Sequence, residues 1–378
     1  MKKTCFTDIC TLIMGQSPDS SSYNTNYEGL PFYQGNSDFG ELHPVPRVWC
    51  SEPKKIAQEN DILISVRAPI GDLNIANEKC CIGRGLAAIR IINSDNVDLT
   101  YLYHFFESKR TYLQEKGTGS TFKAINKDSL INFVIPLPSI KEQESISQEL
   151  SALHLLIKGK KTQLFALDEL VKSRFIEMFE NKGFSFLPFS KYADIIDGDR
   201  GKNYPKATDF SDNGYCLFLN AKNVTKEGFS FEQTQFISKE KDAALRKGKL
   251  QRKDIVITTR GTIGNIAYYD ETIPYDNIRI NSGMVIIRPQ NISYNPFFFL
   301  YAFRNKVEEI KAQNVTGAAQ PQLPIHIMSK IQLLNPPIEL QNEFAEFVKL
   351  IDKSKFIVQQ QIKDLQELLD SKMDEYFR

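Results

Sequence analysis

Apolar residues along the chain follow two different periods, and the change from one to the other happens twice. The first part holds short β-rich runs such as Asp61 to Val66, broken by Gly, Pro and Asn turn signals, the pattern of a compact β-rich domain. Apolar residues then fall in steps of three and four at Ile146, Leu150, Leu153, Ile157, Leu164, Leu167, Val171, Phe175 and Met178, interrupted only by Lys160. The succession repeats. Runs such as Val285 to Ile287 give way to Phe344, Val348, Ile351, Val358, Ile362, Leu365, Leu369, Met373 and Tyr376, interrupted only by Lys355. Each series reads as the seam of a long coiled-coil helix. The helix starts are marked by Ser139 with Glu142, a capping-box spacing, and by Pro336-Pro337.

The two halves are copies of one unit. Asp61-Ile-Leu-Ile-Ser-Val-Arg67-Ala-Pro-Ile-Gly71 returns as Asp254-Ile-Val-Ile-Thr-Thr-Arg260-Gly-Thr-Ile-Gly264, an offset of 193. Ile82 to Arg90 matches Ile280 to Arg288, and Leu167 to Phe179 matches Leu365 to Phe377, both at 198. Self-similarity of this kind sets the domain organisation before any other signal. The expected fold class is α+β. Two β-rich globular domains, residues 1–139 and 181–337, are each followed by a spacer helix, at 140–180 and 338–378. A helix of roughly 40 residues is about 60 Å long and does not fold as a lone exposed rod. The economical solution is an antiparallel pair with pseudo-two-fold symmetry, a dumbbell paired through Leu150, Leu153, Leu164, Leu167 and Val171 on one helix and Ile351, Val358, Ile362, Leu365 and Leu369 on the other.

Composition narrows the function classes. With 42% hydrophobic and 25% charged residues, the chain of 378 residues can bury real cores. No apolar run approaches the roughly 18 residues of a membrane span, and the polar start is unlike a signal peptide, so no membrane association and a cytoplasmic location are expected. The six cysteines form no CxxC pair and the four histidines offer no zinc-ligand spacing, so reduced structural thiols and no metal are expected. No GxGxxG or GxxxxGK[ST] occurs, and no nucleophile-like context surrounds any histidine. Asn335-Pro336-Pro337-Ile338 resembles the Asn-Pro-Pro-aromatic pattern of amino-methyltransferases, but Ile338 has no ring on which a flipped base can stack. Its equivalent in the first copy, Pro138-Ser139-Ile140, is a helix start.

Charge divides unevenly. Residues 1–140 carry 14 basic and 15 acidic side chains, whereas 181–340 carry 21 and 16. The run Lys241 to Lys253 is the most basic, and either a phosphate-following stretch or a solvated surface helix accounts for it. Polar loops also recur at matching places. Phe32-Tyr33-Gln34-Gly35-Asn36 answers Phe218-Leu219-Asn220-Ala221-Lys222-Asn223, and Met14 to Pro18 answers Asp197 to Pro205 with Arg200 and Lys202. Gly117 to Lys123, with Ser120 and Thr121, answers Thr316 to Gln322. Gln and Asn can read an adenine edge and Lys or Arg can meet guanine or phosphate, which makes these loops, with Arg67 and Arg260, candidate DNA contacts. Ordinary turn chemistry explains the same residues.

The order of these features resembles the specificity subunits of type I restriction-modification systems over nearly the whole chain. The resemblance rests on the apolar-Gly-polar-Pro openings at Ile13 to Pro18 and Ile195 to Pro205, Asp-Ile-Leu-Ile-x-x-Arg, and the proline-marked starts of two long helices. It implies two target-recognition domains, each reading one half of a split site on double-stranded DNA. The helices would fix the gap and dock modification subunits, with two expected. S-adenosylmethionine, ATP and Mg would belong to the modification and restriction partners, with no cofactor and no catalysis on this chain. Two other readings stand beside it: a stand-alone or orphan sequence-specific DNA-binding protein, and a self-sufficient methyltransferase built on Asn335-Pro336-Pro337.

Overall fold

The computed structural model describes residues 3–118, 123–226, 228–290, 294–313 and 323–378. Ser120, Thr121 and the stretch 316–322 lie outside the described residues. The chain forms two compact units, one of Met1–Leu164 with Ile357–Arg378 and one of Phe165–Phe356.

The first unit is built on the strand that opens the repeated motif. Ile62–Ser65 lies inside a four-stranded antiparallel sheet in the order Cys10–Met14, Leu86–Ile91, Ile62–Ser65, Leu73–Ile75. An unbroken apolar run suits a strand buried on both faces. Ile62 and Ile64 pack with Phe6, Tyr101, Phe105 and Leu150 on the helical side, and Leu63 packs with Tyr33, Cys80 and Ile82 of a second sheet on the other. That second sheet is mixed, with Leu30–Tyr33 running parallel to Cys80–Ile82. Asp61 and Arg90, at the outer ends of the two repeated motifs, form a two-pronged ion pair at 2.9 and 2.8 Å.

The second unit repeats this plan. Its sheet runs Ala193–Asp197, Met284–Pro289, Ile255–Thr258, Ile266–Tyr268, and Asp254 clasps Arg288 at 3.0 and 2.7 Å. The parallel pair is Cys216–Leu219 with Ile278–Ile280. The change of offset from 193 to 198 has a location. Four residues join Leu73–Ile75 to Cys80–Ile82, whereas residues 269–277 join the equivalent strands. Arg252 organises this longer connection by donating to the carbonyls of Asp270 and Ile273 and to the Asp276 carboxylate.

A two-stranded ribbon precedes each long helix, Lys3–Cys5 with Val134–Pro136 and Phe186–Pro188 with Gln332–Leu334. The helices span Ile140–Phe179 and Ile338–Phe377. Ser139 and Glu142 cap the first reciprocally. A buried glutamine one turn in does the same work in both copies. Gln143 accepts from Asp98 N–H and donates to Pro138 O, and Gln341 accepts from Asn295 N–H and donates to Pro336 O. Asn335-Pro336-Pro337 is thus the turn into a helix.

Within each unit the helices run antiparallel. In the first, Ile146, Leu150 and Leu153 share a core with Leu369, Met373 and Phe377, and Glu149 meets Lys372 at 3.3 Å. In the second, Val171 and Phe175 share a core with Phe344 and Ile351, and Asp168 meets Lys355 at 2.5 Å. The two seam interruptions therefore differ in role, Lys355 being an ion-pair partner. Leu150, Leu153, Val171, Ile351, Val358 and Leu369 are buried, while Leu164, Leu167, Ile362 and Leu365 are half-buried.

Each helix ends in a buried aromatic. Phe377 meets Tyr101 and Phe105 edge-on, and its carbonyl accepts from Lys109 Nζ at 2.7 Å. Phe179 meets Phe298 and Phe344. No helix among the described residues is long and apolar enough to cross a membrane. Removing a fully packed ring leaves a cavity, so Phe377→Ala is expected to cost the first unit about 3–5 kcal/mol. Denaturant unfolding should show that unit's transition displaced and the second unit's retained. An unmoved transition would exclude the ring from that core.

Candidate nucleic-acid interface

The repeated loops converge at one end of the sheets in each unit, because the hairpin tips and the parallel pair end there together. In the first unit the chain leaves Ile64 and Ser65 and turns through Arg67 to Gly71. Ser65 Oγ closes this turn by donating to Pro69 O and accepting from Asp72 N–H. Gly71 takes φ 86°, a conformation that favours glycine. Thr258 Oγ1 closes the equivalent turn onto Thr262 O and Asn265 N–H, and Gly264 takes φ 82°. Arg67 and Arg260 are thereby held exposed at matching hairpin tips. Among the described residues no hydrogen bond or ion pair engages either guanidinium.

Next to each hairpin tip lies the turn that follows the second strand of the parallel pair. Val66 N–H donates to Gly85 O, and Thr259 N–H to Gly283 O. A Cβ on Gly85 would lie 2.3 Å from Gln34 O, so only glycine allows this approach. Gln34 is exposed, with its backbone N–H held by Asp38 at 2.7 Å. Lys123, also exposed, joins the group because its carbonyl accepts from Ala68 N–H. Asn36 is half-buried and donates to Asp72 at 3.0 Å, which draws its amide into the hairpin.

In the second unit Asn220 occupies the place of Gln34. Its Oδ1 accepts from Lys222 N–H, and Lys222 is exposed with Nζ donating to Gln233 at 3.0 Å. Asn223 does not belong among base readers. The residue is 1% exposed, its amide donates to Ser230 O and Gln233 O, and its oxygen accepts from Asn220 N–H, so both amide hydrogens and the oxygen are engaged in shaping the loop. Sequence alone cannot separate an Asn that reads from an Asn that folds a turn.

Arg200 and Arg260 line one cleft of about 260 Å³ together with Asp197, Thr259 and His326. Arg200 donates to Asp197 at 3.1 Å and to Ser282 O. Lys202 is exposed beyond it. Asp199, missed as a functional residue, holds this loop in place. It is buried and accepts from the N–H groups of Gly201 and Arg246, both at 2.7 Å, and of Lys247 at 3.4 Å. These donors, Gly201 first, hold its carboxyl below the usual aspartate range. The basic run is helical only over Lys239–Ala244. Lys249 pairs with buried Asp242, which also clasps Arg279 at 2.5 Å, while Lys241 pairs with Asp209. Arg246, Lys247 and Lys253 stay exposed.

The cysteines take no part. All are free, and burial raises the thiols of Cys10, Cys80 and Cys216 to about 12.

A family model described as the type I restriction modification DNA specificity domain matches residues 1–166 and again 188–367. The chain belongs to this specificity family. The chain is 44% identical over 161 residues to the putative type I restriction enzyme MjaX specificity subunit of Methanocaldococcus jannaschii, an alignment covering 43% of this chain and 38% of that one. It is 26% identical over 343 residues to the MjaIX specificity subunit of the same organism, covering 84% and 76%. The S subunit of a type I restriction-modification system from M. genitalium shares the fold, at 16% identity, TM-score 0.55 and coverage of 100% and 96%. Both copies of the specificity domain carry a matching hairpin tip, held to the adjacent turn by the same backbone contact.

Two outcomes test the roles assigned here. Because the Asp199 carboxyl is depressed in the folded chain, its loop contribution is full above the ordinary aspartate value of 3.8 and is lost as pH falls through the lower folded value. Hydrogen exchange at the Gly201 and Arg246 amides should report that loss, and Asp199→Asn should abolish the pH dependence. Asn223→Ala should lower stability by about 1–3 kcal/mol through unsatisfied backbone groups, whereas Lys222→Ala should leave the melting point unchanged. Equal effects would return Asn223 to the candidate readers.

Proposed function

We propose that this chain is the non-catalytic DNA-specificity subunit of a type I restriction-modification complex, acting in the cytoplasm, with each specificity-domain copy reading one half of a split site. The observation that carries the reading is the duplication itself. Two copies of one domain present the same set of polar and basic loops at the same end of the same sheet, with different side chains in them. Around the shared Arg67 and Arg260, Gln34 and the loop Met14 to Pro18 stand in the first copy where Asn220, with Lys222, and the loop of Arg200 and Lys202 stand in the second. Different loops on one framework suit the recognition of two different half-sites. Phosphate contacts by the Lys and Arg side chains position the duplex, and contacts to base edges supply about 1–3 kcal/mol of discrimination each.

The long helices serve as ruler and dock in this reading. Apolar side chains off the seam, Leu155 and Ile357 in the first unit and Phe165, Leu350 and Phe356 in the second, are more than half exposed and offer surface to modification subunits. S-adenosylmethionine, ATP and Mg are assigned to the modification and restriction partners.

Mapping methylated adenines in host cells tests this directly. Deleting the gene should erase one split motif, and adding a heptad to both helices should lengthen that motif's gap with the half-sites unchanged. An unchanged methylome would refute the assignment. In the assembled complex, Lys202→Ala should weaken DNA binding about equally across sequences and lower the salt slope by about 1, without affecting assembly.

A further inference from the structure

The first unit contains a group of side chains that the DNA-reading role leaves unused. His104 and Glu107 lie three residues apart on the helix Leu99–Ser108 and therefore share a face. His154, on the first long helix, completes the group. Glu107 Oε2 lies 2.9 Å from His104 Nδ1 and 3.0 Å from His154 Nε2. The three donor atoms all fall within 4.8 Å of one another, and the imidazoles are stacked with planes 7° apart.

We propose that His104, Glu107 and His154 form a site for one divalent transition ion of the zinc class, which fastens the first head to its long helix. Two imidazole nitrogens and one carboxylate oxygen are a donor set for Zn, Co or Ni, and they disfavour Mg and Ca, which take oxygen. A tetrahedral ion with bonds of about 2.1 Å keeps its donors about 3.4 Å apart. Glu107 therefore needs to draw back from each ring by only a few tenths of an ångström as the two nitrogens close in. His104 is buried, while the side chains of Glu107 and His154 are about one-third exposed, so the fourth position opens towards water.

The surrounding groups suit an ion. His104 Nε2 lies 3.1 Å from Ser151 Oγ. A hydroxyl can donate or accept, so it serves the ring in both states. Without metal, His104 Nδ1–H donates to Glu107 and Ser151 donates to Nε2. With metal on Nδ1, the proton moves to Nε2 and Ser151 accepts it, the second contact that orients ligating histidines.

The internal repeat argues that the cluster is not required by the fold. With Asp98 and Asn295 capping the equivalent helices, the second copy has Tyr301, Arg304 and Asp352 in these places, and it builds the same sheet and helix start without any imidazole. The site therefore belongs to the first copy alone, and it stands independently of the DNA-reading assignment.

The full chain, stripped with chelator, would be titrated with Co(II) and followed by its visible absorption, then with Zn(II) by competition. The wild type should take up one ion per chain with a tetrahedral cobalt spectrum. His154→Ala and Glu107→Gln should each bind at least about 100-fold more weakly, while their metal-free melting stays close to that of the wild type. Zinc should raise the melting temperature of the wild type and leave both variants unmoved. Equal binding by all three proteins would place the ion elsewhere and overturn the proposal. So would an absence of stoichiometric uptake by the wild type.

Discussion

The structure depends on the burial of each long helix's last turn in a head core. Phe377 packs against Tyr101 and Phe105 of the first unit, and Phe179 against Phe298 of the second. The helix that starts beside the first head ends in the second unit, and the helix that starts beside the second head ends in the first. Neither core is complete without a helix that begins in the other half of the chain. A coiled-coil seam alone is a modest anchor. A seam ending in a buried aromatic cluster adds the larger area and the shape specificity of packed rings.

The same economy shapes the heads. The central strand is buried on both faces, so all of its side chains serve packing and its discriminating chemistry has to sit beyond its end. The Asp and Arg at the outer ends of the repeated motifs are a framework pair. Asp61 with Arg90 and Asp254 with Arg288 tie the two ends of the repeated motifs together. Variation is then free to accumulate in the hairpin tip and adjoining loops. This separates a constant scaffold from two sets of side chains that differ between copies, which is the division a sequence-reading subunit needs.

The first unit's histidine cluster illustrates how duplication releases positions. Once the sheet and the glutamine-clamped helix start carry the fold, the contact between the Leu99–Ser108 helix and the long helix can hold any compatible set of side chains. One copy has placed His104, Glu107 and His154 there, and the other has Tyr301, Arg304 and Asp352. Local spacing reveals only His104 and Glu107, three residues apart. The third donor arrives from 47 residues further along, which only packing brings near.

The sequence by itself determined the duplication, the α+β class, the β-rich character of both heads and the start and seam of each long helix, because these are written in local periodicity, capping residues and repeated motifs. It also marked polar loops that answer one another between copies, since Gln34 and Asn220 each follow a short apolar run. What a polar residue does inside those loops was decided by tertiary structure. Asn220 and Asn223 are three residues apart and of one type, yet Asn223 is locked to three backbone groups while Asn220 keeps its amide nitrogen free among the described residues. Asp199 looks like one acid among many until burial beneath three backbone N–H groups makes it the organiser of a basic loop. Periodicity records which face of an element is buried. Which hydrogen-bond partners a loop side chain finds depends on segments far away in the chain, and only the folded molecule brings those together.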